Sequence, residues 1–410
     1  MVASRVFRMN LIRSILLCAL GVAACASAQV SPRKPVLKDA FKDSFHIGAA
    51  LNLSQFSEAN AVEAALVKEH FNSITPENVL KWERVHPWPG RYDFTGSDQF
   101  VAFGERNGMF IVGHTLVWHA QTPDWVFRDT PGKALTRDVL LARMRDHIFA
   151  VVGRYKGRIK GWDVVNEAIE DDGSLRKSPW RKIIGDDFIA KAFQFAHEAD
   201  PNAELYYNDY GMESSRKRAG AIALVKKLQA KGVRITGVGV QGHYQTATNS
   251  PSAAEFSSTI SDFAKLGMKV MITELDVDVL PSVWKALSAD VNLRKKGGQE
   301  FNPYTNGLPV EIEQQLAARY AELFGVLLQH REAVTRVTFW GVTDGNSWLN
   351  DWPIEGRTSY PLLFDREGKP KPAFDSVLAL GQKNRIARAD SSANPATEQA
   401  ANSNRRMISK

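Results

Sequence analysis

Two glutamates, Glu167 and Glu274, stand where acid–base and nucleophilic chemistry needs them, each directly after an apolar run: residues 161–166 for the first and 269–273 for the second. Other apolar runs end in Thr75-Pro76-Glu77-Asn78, in His114 to His119, in Asn208-Asp209-Tyr210, in Gln241-Gly242-His243 and in Trp340-Gly341. A single carboxylate after such a run is as often a helix cap or salt-bridge member as a catalyst. Two of them, delivered by rigid elements into a site dense with Asn, Gln, His and Trp, are a different matter. Cleavage of a glycosidic bond needs one carboxylic acid to protonate the leaving oxygen and one carboxylate on the other side of the sugar ring. Glu167 and Glu274 fit those two roles.

The neighbours separate them. Asn166 precedes Glu167 and is positioned to place its amide on a sugar hydroxyl, while Gln241 and His243 are expected to hold Glu274 as a charged acceptor. Four histidines fall near the same end, His86, His114, His119 and His243. His114 and His119 are five apart around a strand end and no helical His-x-x-x-His pair exists, so these are read as hydrogen-bonded scaffold, with no metal and no cofactor expected. Of the ten tryptophans, Trp82, Trp118, Trp125, Trp340, Trp348 and Trp352 follow strands. Six gathered at one end predict an aromatic-lined cleft, and pyranose rings stack their apolar faces on indole.

The elements that must position these residues alternate along the chain. Strands are predicted at 47–51, 71–75, 110–114, 161–166, 204–208, 235–241, 269–273 and 336–340. Amphipathic helical patterns fall at about 58–69, 97–107, 136–153, 187–199, 214–231, 252–266, 309–330 and 372–382. Several strands are continuously apolar, as strands buried on both faces are. Eight strand–helix repeats predict an α/β fold, a single (β/α)8 TIM barrel with its active site at the C-terminal ends of the strands. An open doubly wound sheet would want a glycine-rich phosphate loop after an early strand, and none is present. The longest irregular stretch, 279–308, is read as a substrate-side loop.

The formal charge of the 410 residues is +7, which raises the question of a nucleic-acid partner. The excess sits at the ends. Residues 1–28 carry three arginines and no acid, and residues 383–410 carry six basic against two acidic side chains, so residues 29–382 have no net charge. The basic balance therefore says nothing for a phosphate-binding domain, and no nucleic-acid partner is expected. Three arginines, an apolar run from Ile15 to Ala26 and the Ala26-Ser27-Ala28 triplet predict an export signal over 1–28, for a periplasmic or secreted protein. A second reading stays open, in which Val22-Ala23-Ala24-Cys25 is a lipoprotein signal and Cys25 the anchored mature N-terminus. Both cysteines lie in this segment, so the domain at 29–382 is expected to fold without disulfides or zinc–thiolate sites. Beyond the N-terminus no run is long and apolar enough to span a bilayer. The polar basic tail, 383–410, is expected to be disordered, and the molecule monomeric.

Across about 40–382 the chain resembles glycoside hydrolase family 10, the endo-β-1,4-xylanases. The resemblance rests on ordered motifs: Glu77-Asn78-x-x-Lys81-Trp82; residues 113–119 with Gln121, Pro123 and Trp125; Trp162 to Ala168; Tyr207 to Tyr210; Gln241-x-His243; Ile272 to Asp276; and Phe339-Trp340-Gly341 with Ser347-Trp348. It implies an endo-acting retaining hydrolase of xylan and xylo-oligosaccharides that works by double displacement, with Glu167 as acid/base and Glu274 as nucleophile. It further implies sugar contacts from Glu77, Asn78, Lys81, His114 and Trp118 on the glycone side. Around the cleaved bond it implies Asn166, Gln241, His243, Trp340 and Trp348, and Tyr210 on the leaving-group side. Gly211 stands where many members carry Asn, and a cysteine pair that members often have late in the barrel is missing. Two other readings are a β-1,4-glucanase of the same barrel type and a glycan-binding protein without catalysis. The second would be marked by a missing carboxylate, and both are present.

Overall fold

The computed structural model describes residues 35–129, 133–246, 251–281 and 298–393. The expected export signal with Cys25, residues 282–297 of the loop after the seventh strand, and the tail from 394 lie outside the described residues.

Eight parallel strands form the centre: β1 (His46–Leu51), β2 (Ser73–Pro76), β3 (Phe110–Val117), β4 (Gly161–Asn166), β5 (Glu204–Asp209), β6 (Gly237–Val240), β7 (Lys269–Asp278) and β8 (Val334–Phe339). Each pairs with the next, and β8 pairs with both β7 and β1, so the sheet closes into a (β/α)8 barrel. Strand burial explains the apolar runs: all six residues of β4 and all but the first of β7 are buried. The eight expected helices cover the outside, among them Arg137–Arg154, Phe188–Ala199 and Val310–Gln329. Each turns one stripe inward. In Phe188–Ala199 it is built on Phe188, Ile189, Ala192, Phe193, Ala196 and Ala199, the i, i+3/i+4 spacing of an amphipathic helix, with Ala190 buried beside them. Ser252 and Glu255 form a capping box that starts helix Ala253–Ala264 where the sequence turns from polar to periodic.

Several boundaries differ from expectation; β3, for one, runs on past His114 to Val117. β7 does not stop at Thr273 but runs on to Asp278, because its second half pairs with a short extra strand, His243–Gln245, in the register Asp276↔His243. This extension puts Glu274 and Asp276 inside a rigid element rather than on a loop. A two-residue ladder, Arg128–Asp129 with Lys133–Ala134, lies outside the barrel. The tail expected to be disordered from 383 is instead helical as far as Ala393, in the helix Pro372–Ala393. Side chains hold it: Asn384 donates to Ser44 Oγ at 3.2 Å, Arg385 to the Asp39 carbonyl at 3.0 Å and Arg388 to the Asp43 carbonyl at 2.8 Å.

Candidate active site

β4 ends in Asn166, and the chain turns sharply to present Glu167. Glu167 takes φ 56°, the left-handed region that side-chained residues adopt at a cost and keep when their surroundings impose it. Here two contacts impose it: its N–H donates to the Asn208 carbonyl at 2.9 Å and its carbonyl accepts from Arg176 Nε at 2.8 Å. Glu167 is 8% exposed. Oε2 accepts from the Trp118 indole at 2.9 Å, and Oε1 accepts from the Gln241 amide at 2.9 Å and from Asn166 at 3.2 Å. One face is left for a reacting group.

Glu274 comes from β7, within a register shift against β8 between Ile272 and Leu275. Such a bulge re-aims a side chain without breaking the strand. Its Oε1 accepts from Asn208 Nδ2 at 2.8 Å and its Oε2 lies 3.2 Å from His243 Nε2. His243 Nδ1 is 3.0 Å from Asp276 Oδ2, and that oxygen also accepts from the Trp348 indole at 2.7 Å. With a carboxylate at each ring nitrogen, His243 is held as a double donor. Burial pulls its pKa down, but the charge and hydrogen bond of Asp276, followed by those of Glu274, raise it to about 10. Burial likewise pushes Glu274 up, and is outweighed by the His243 hydrogen bond, the charges of His114 and His243, and the Asn208 amide, so the carboxyl lies below its ordinary value.

Two amides tie the two carboxylates together. Asn208 Nδ2 donates to Asn166 Oδ1 at 2.9 Å as well as to Glu274, and Asn208 Oδ1 accepts from Thr273 at 2.6 Å, which fixes the amide's orientation. The path Glu167–Asn166–Asn208–Glu274 thus runs through two amides. Asn208 is fully buried, and Gly239 makes room for it: a Cβ there would stand 2.4 Å from Asn208 Oδ1.

The sequence-predicted residues gather around this pair. Lys81 Nζ donates to Asn78 Oδ1 at 3.1 Å and lies 5.3 Å from the centre of the Trp118 ring. Burial lowers the pKa of Lys81 against the pull of Glu274, Glu77 and Glu167, and burial raises that of Glu77 against Lys81 and Asn78. His114 Nδ1 meets Asp163 Oδ2 at 3.0 Å, and its ring sits edge-on to Trp340 at 5.5 Å. Trp348 packs on His243 at 4.8 Å and stacks on Trp352 at 4.9 Å. Tyr210 is tied to Arg176, whose Nη2 donates to the phenol oxygen at 2.9 Å, and Lys217 Nζ lies 3.2 Å from its ring centre. Gly211 beside it has φ 61°, a conformation that Gly and Asn both accept.

Two expectations need correction. Gln241 does not hold Glu274. Its amide donates to Glu167, and Asn208 takes the place foreseen for it. Nor do all six post-strand tryptophans line the cleft. Trp82 is 2% exposed and stacks flat on His147 at 3.6 Å. Trp125 donates to the Pro87 carbonyl at 3.0 Å and sits edge-on to His86, which faces His147 through their Nδ1 atoms at 3.3 Å. These rings form a packed stack behind the site, where burial takes the His86 pKa down to about 4. His119 lies edge-on to Trp118 at 5.9 Å.

The sequence pattern of glycosyl hydrolase family 10 matches residues 36–380. The chain belongs to that family. Among its relatives, endo-1,4-beta-xylanase A of Xylanibacter ruminicola is 45% identical over 361 residues, covering 88% of this chain and 97% of the relative. Beta-1,4-xylanase of Dictyoglomus thermophilum is 46% identical over 347 residues, with coverages of 84% and 90%. A family 10 endoxylanase retrieved from sugarcane soil metagenome superposes with a TM-score of 0.80 at 49% identity, covering 84% of this chain and 99% of that structure.

Sequence reasoning assigned no role to four polar residues of this family 10 site: Asn208, Asp276, Asp163 and Arg176. Asn208 and Asp276 lie near the C-terminal ends of β5 and β7, and that position was the available signal, whereas Asp163 sits in the middle of β4 and had none. Arg176 lies nine residues past Glu167 in an irregular loop and carries no pattern that sequence could have marked.

Proposed function

We infer that this chain is an endo-1,4-β-xylanase that hydrolyses xylan with net retention by double displacement, in keeping with its family. The observation that carries the assignment of roles is the contrast between the two glutamates. Glu274 accepts from a protonated His243 and from Asn208, surroundings that favour a permanent carboxylate. Glu167 accepts from neutral donors alone, Trp118, Gln241 and Asn166.

In the first step Glu274 attacks the anomeric carbon, the bond to the leaving oxygen breaks, and Glu167 delivers its proton to that oxygen. A covalent glycosyl-enzyme results. In the second step Glu167, now a carboxylate, takes a proton from water as the water displaces Glu274, and both groups return to their starting states. The indoles of Trp118, Trp340 and Trp348 with the polar groups of Lys81, Asn78, Glu77, His114 and Tyr210 make a cleft suited to pyranose faces and hydroxyl edges. The export signal ending at Ala28, or lipidation at Cys25, places the enzyme outside the cytoplasm, where a polysaccharide substrate is met, and the chain works as a monomer.

Initial rates on xylan and on carboxymethylcellulose test the substrate class: a clear preference for xylan supports this reading and equal or reversed rates overturn it. The intact mass of the exported protein distinguishes Gln29 from lipidated Cys25 as its N-terminus, and sedimentation checks the monomer.

A further inference from the structure

At the N-terminal ends of the strands, opposite the glutamates, the barrel floor holds a cavity of about 390 Å³. His46, Phe110, Glu204 and Lys269, the first residues of β1, β3, β5 and β7, line it together with Lys42, Arg331 and Arg336. Layers inside such barrels come from alternate strands and are dominated by branched apolar side chains. This one is charged. Four cationic side chains line the cavity against one carboxylate, Glu204, and that carboxylate is engaged: Lys269 Nζ donates to one oxygen at 2.5 Å and the Tyr206 phenol to the other at 2.7 Å.

Arg336 is the informative residue. It is 2% exposed, yet its Nε and Nη2 have no hydrogen-bond partner. Those two nitrogens form one edge of the guanidinium fork, the edge whose parallel N–H bonds match the two oxygens of a carboxylate or phosphate. The group is steadied by ring faces, with its central carbon 5.5 Å from the Phe110 ring centre and 5.3 Å from that of Tyr206. Ring faces balance charge but accept no in-plane N–H bonds. A buried charged donor left without an acceptor is costly, and an entering oxyanion removes that cost.

We propose that the floor cavity is a binding site for a small oxyanion, of the phosphate or carboxylate class, received by the Nε–Nη2 edge of Arg336 within the cation ring of Lys42, Lys269 and Arg331. The site is remote from the reacting carboxylates, so it acts on the stability of the strand starts rather than on the chemistry. Glu204 opposes the ligand, which gives the proposal a signed test.

The full chain is titrated calorimetrically, and melted, with inorganic phosphate and separately with glucuronate, each against chloride at equal ionic strength. Saturable binding with a rise in Tm is expected from at least one. Response to phosphate alone marks a free inorganic ion as the source, and response to glucuronate marks an acidic sugar. Arg336→Met should weaken binding at least tenfold, Lys42→Ala should weaken it by less, and Glu204→Gln should tighten it, all with xylanase rates unchanged. Absence of saturable binding by either anion overturns the proposal, as does undiminished binding in Arg336→Met. Should Arg336→Met not fold, the signs of Lys42→Ala and Glu204→Gln decide alone, and weaker binding in Glu204→Gln refutes it.

Discussion

His243 Nε2 lies 3.2 Å from Oε2 of Glu274, and this contact opposes the burial that would otherwise neutralise the carboxylate. The imidazolium is in turn held by Asp276 at 3.0 Å, itself fixed by the indole of Trp348. A chain of four side chains, Glu274 and Asp276 from β7, His243 from the short strand His243–Gln245 and Trp348 from the 3-10 turn Trp348–Asn350, therefore sets the charge of one reacting atom.

The pair has a pH signature. Glu274 titrates below its ordinary 4.5, so its ionisation stabilises the fold above that pH and the gain is lost as pH falls through the lowered value. His243, raised from 6.5 to about 10, adds stability that is complete below 6.5 and lost as pH rises toward 10. Melting temperature should decline over that alkaline window, and His243→Gln should flatten the decline. The same variant should move the acid limb of kcat/KM upward by about one unit or more, since an opposite charge beside Glu274 is gone. An acid limb that stays in place would show that His243 does not hold the carboxylate.

Gln241 serves Glu167, so its loss should fall on the step that needs proton transfer. Removing a hydrogen bond to a charged group costs about 1.5–3 kcal/mol, or roughly ten- to hundredfold in rate. Gln241→Leu should show that loss on xylan and much less on an aryl xylobioside with a nitrophenolate leaving group. Equal losses on both substrates would return Gln241 to Glu274.

Gly239→Ala tests the amide bridge from behind. The new methyl would stand 2.4 Å from Asn208 Oδ1 and 2.8 Å from Thr273 Cγ2, and the fully buried Asn208 has nowhere to retreat but toward the two glutamates. Overpacking of this kind costs about 1–3 kcal/mol of stability. Denaturant unfolding should report that loss, with kcat falling while KM changes little.

The barrel is legible in the sequence because strands buried on both faces announce themselves as apolar runs, and each run ends where chemistry begins. The two glutamates follow from that rule. The direction of Gln241 does not, since β6 lies between β5 and β7. Its main chain pairs with both neighbours, the N–H donating to the Asp209 carbonyl at 3.0 Å and the carbonyl accepting from Glu274 N–H at 2.8 Å, while the side chain reaches across to Glu167. Trp82 misleads for a similar reason: a residue opening the short helix Trp82–Val85 can face outward to the covering helices, and it stacks on His147 there. The tail reads as disordered by composition, yet Arg385 and Arg388 find main-chain carbonyls at Asp39 and Asp43, partners that composition does not encode.

The assignment of roles is tested most directly by azide rescue. Glu167→Ala should still form the glycosyl-enzyme from a nitrophenyl xylobioside, because that leaving group hardly needs a proton, and then stall for want of a base. Azide needs no deprotonation, so it should restore turnover and yield the β-glycosyl azide, with configuration retained. Glu274→Ala, lacking the nucleophile, should lose several kcal/mol with every substrate and, if rescued, yield the α-azide. An α-azide from Glu167→Ala, or a β-azide from Glu274→Ala, would contradict the account.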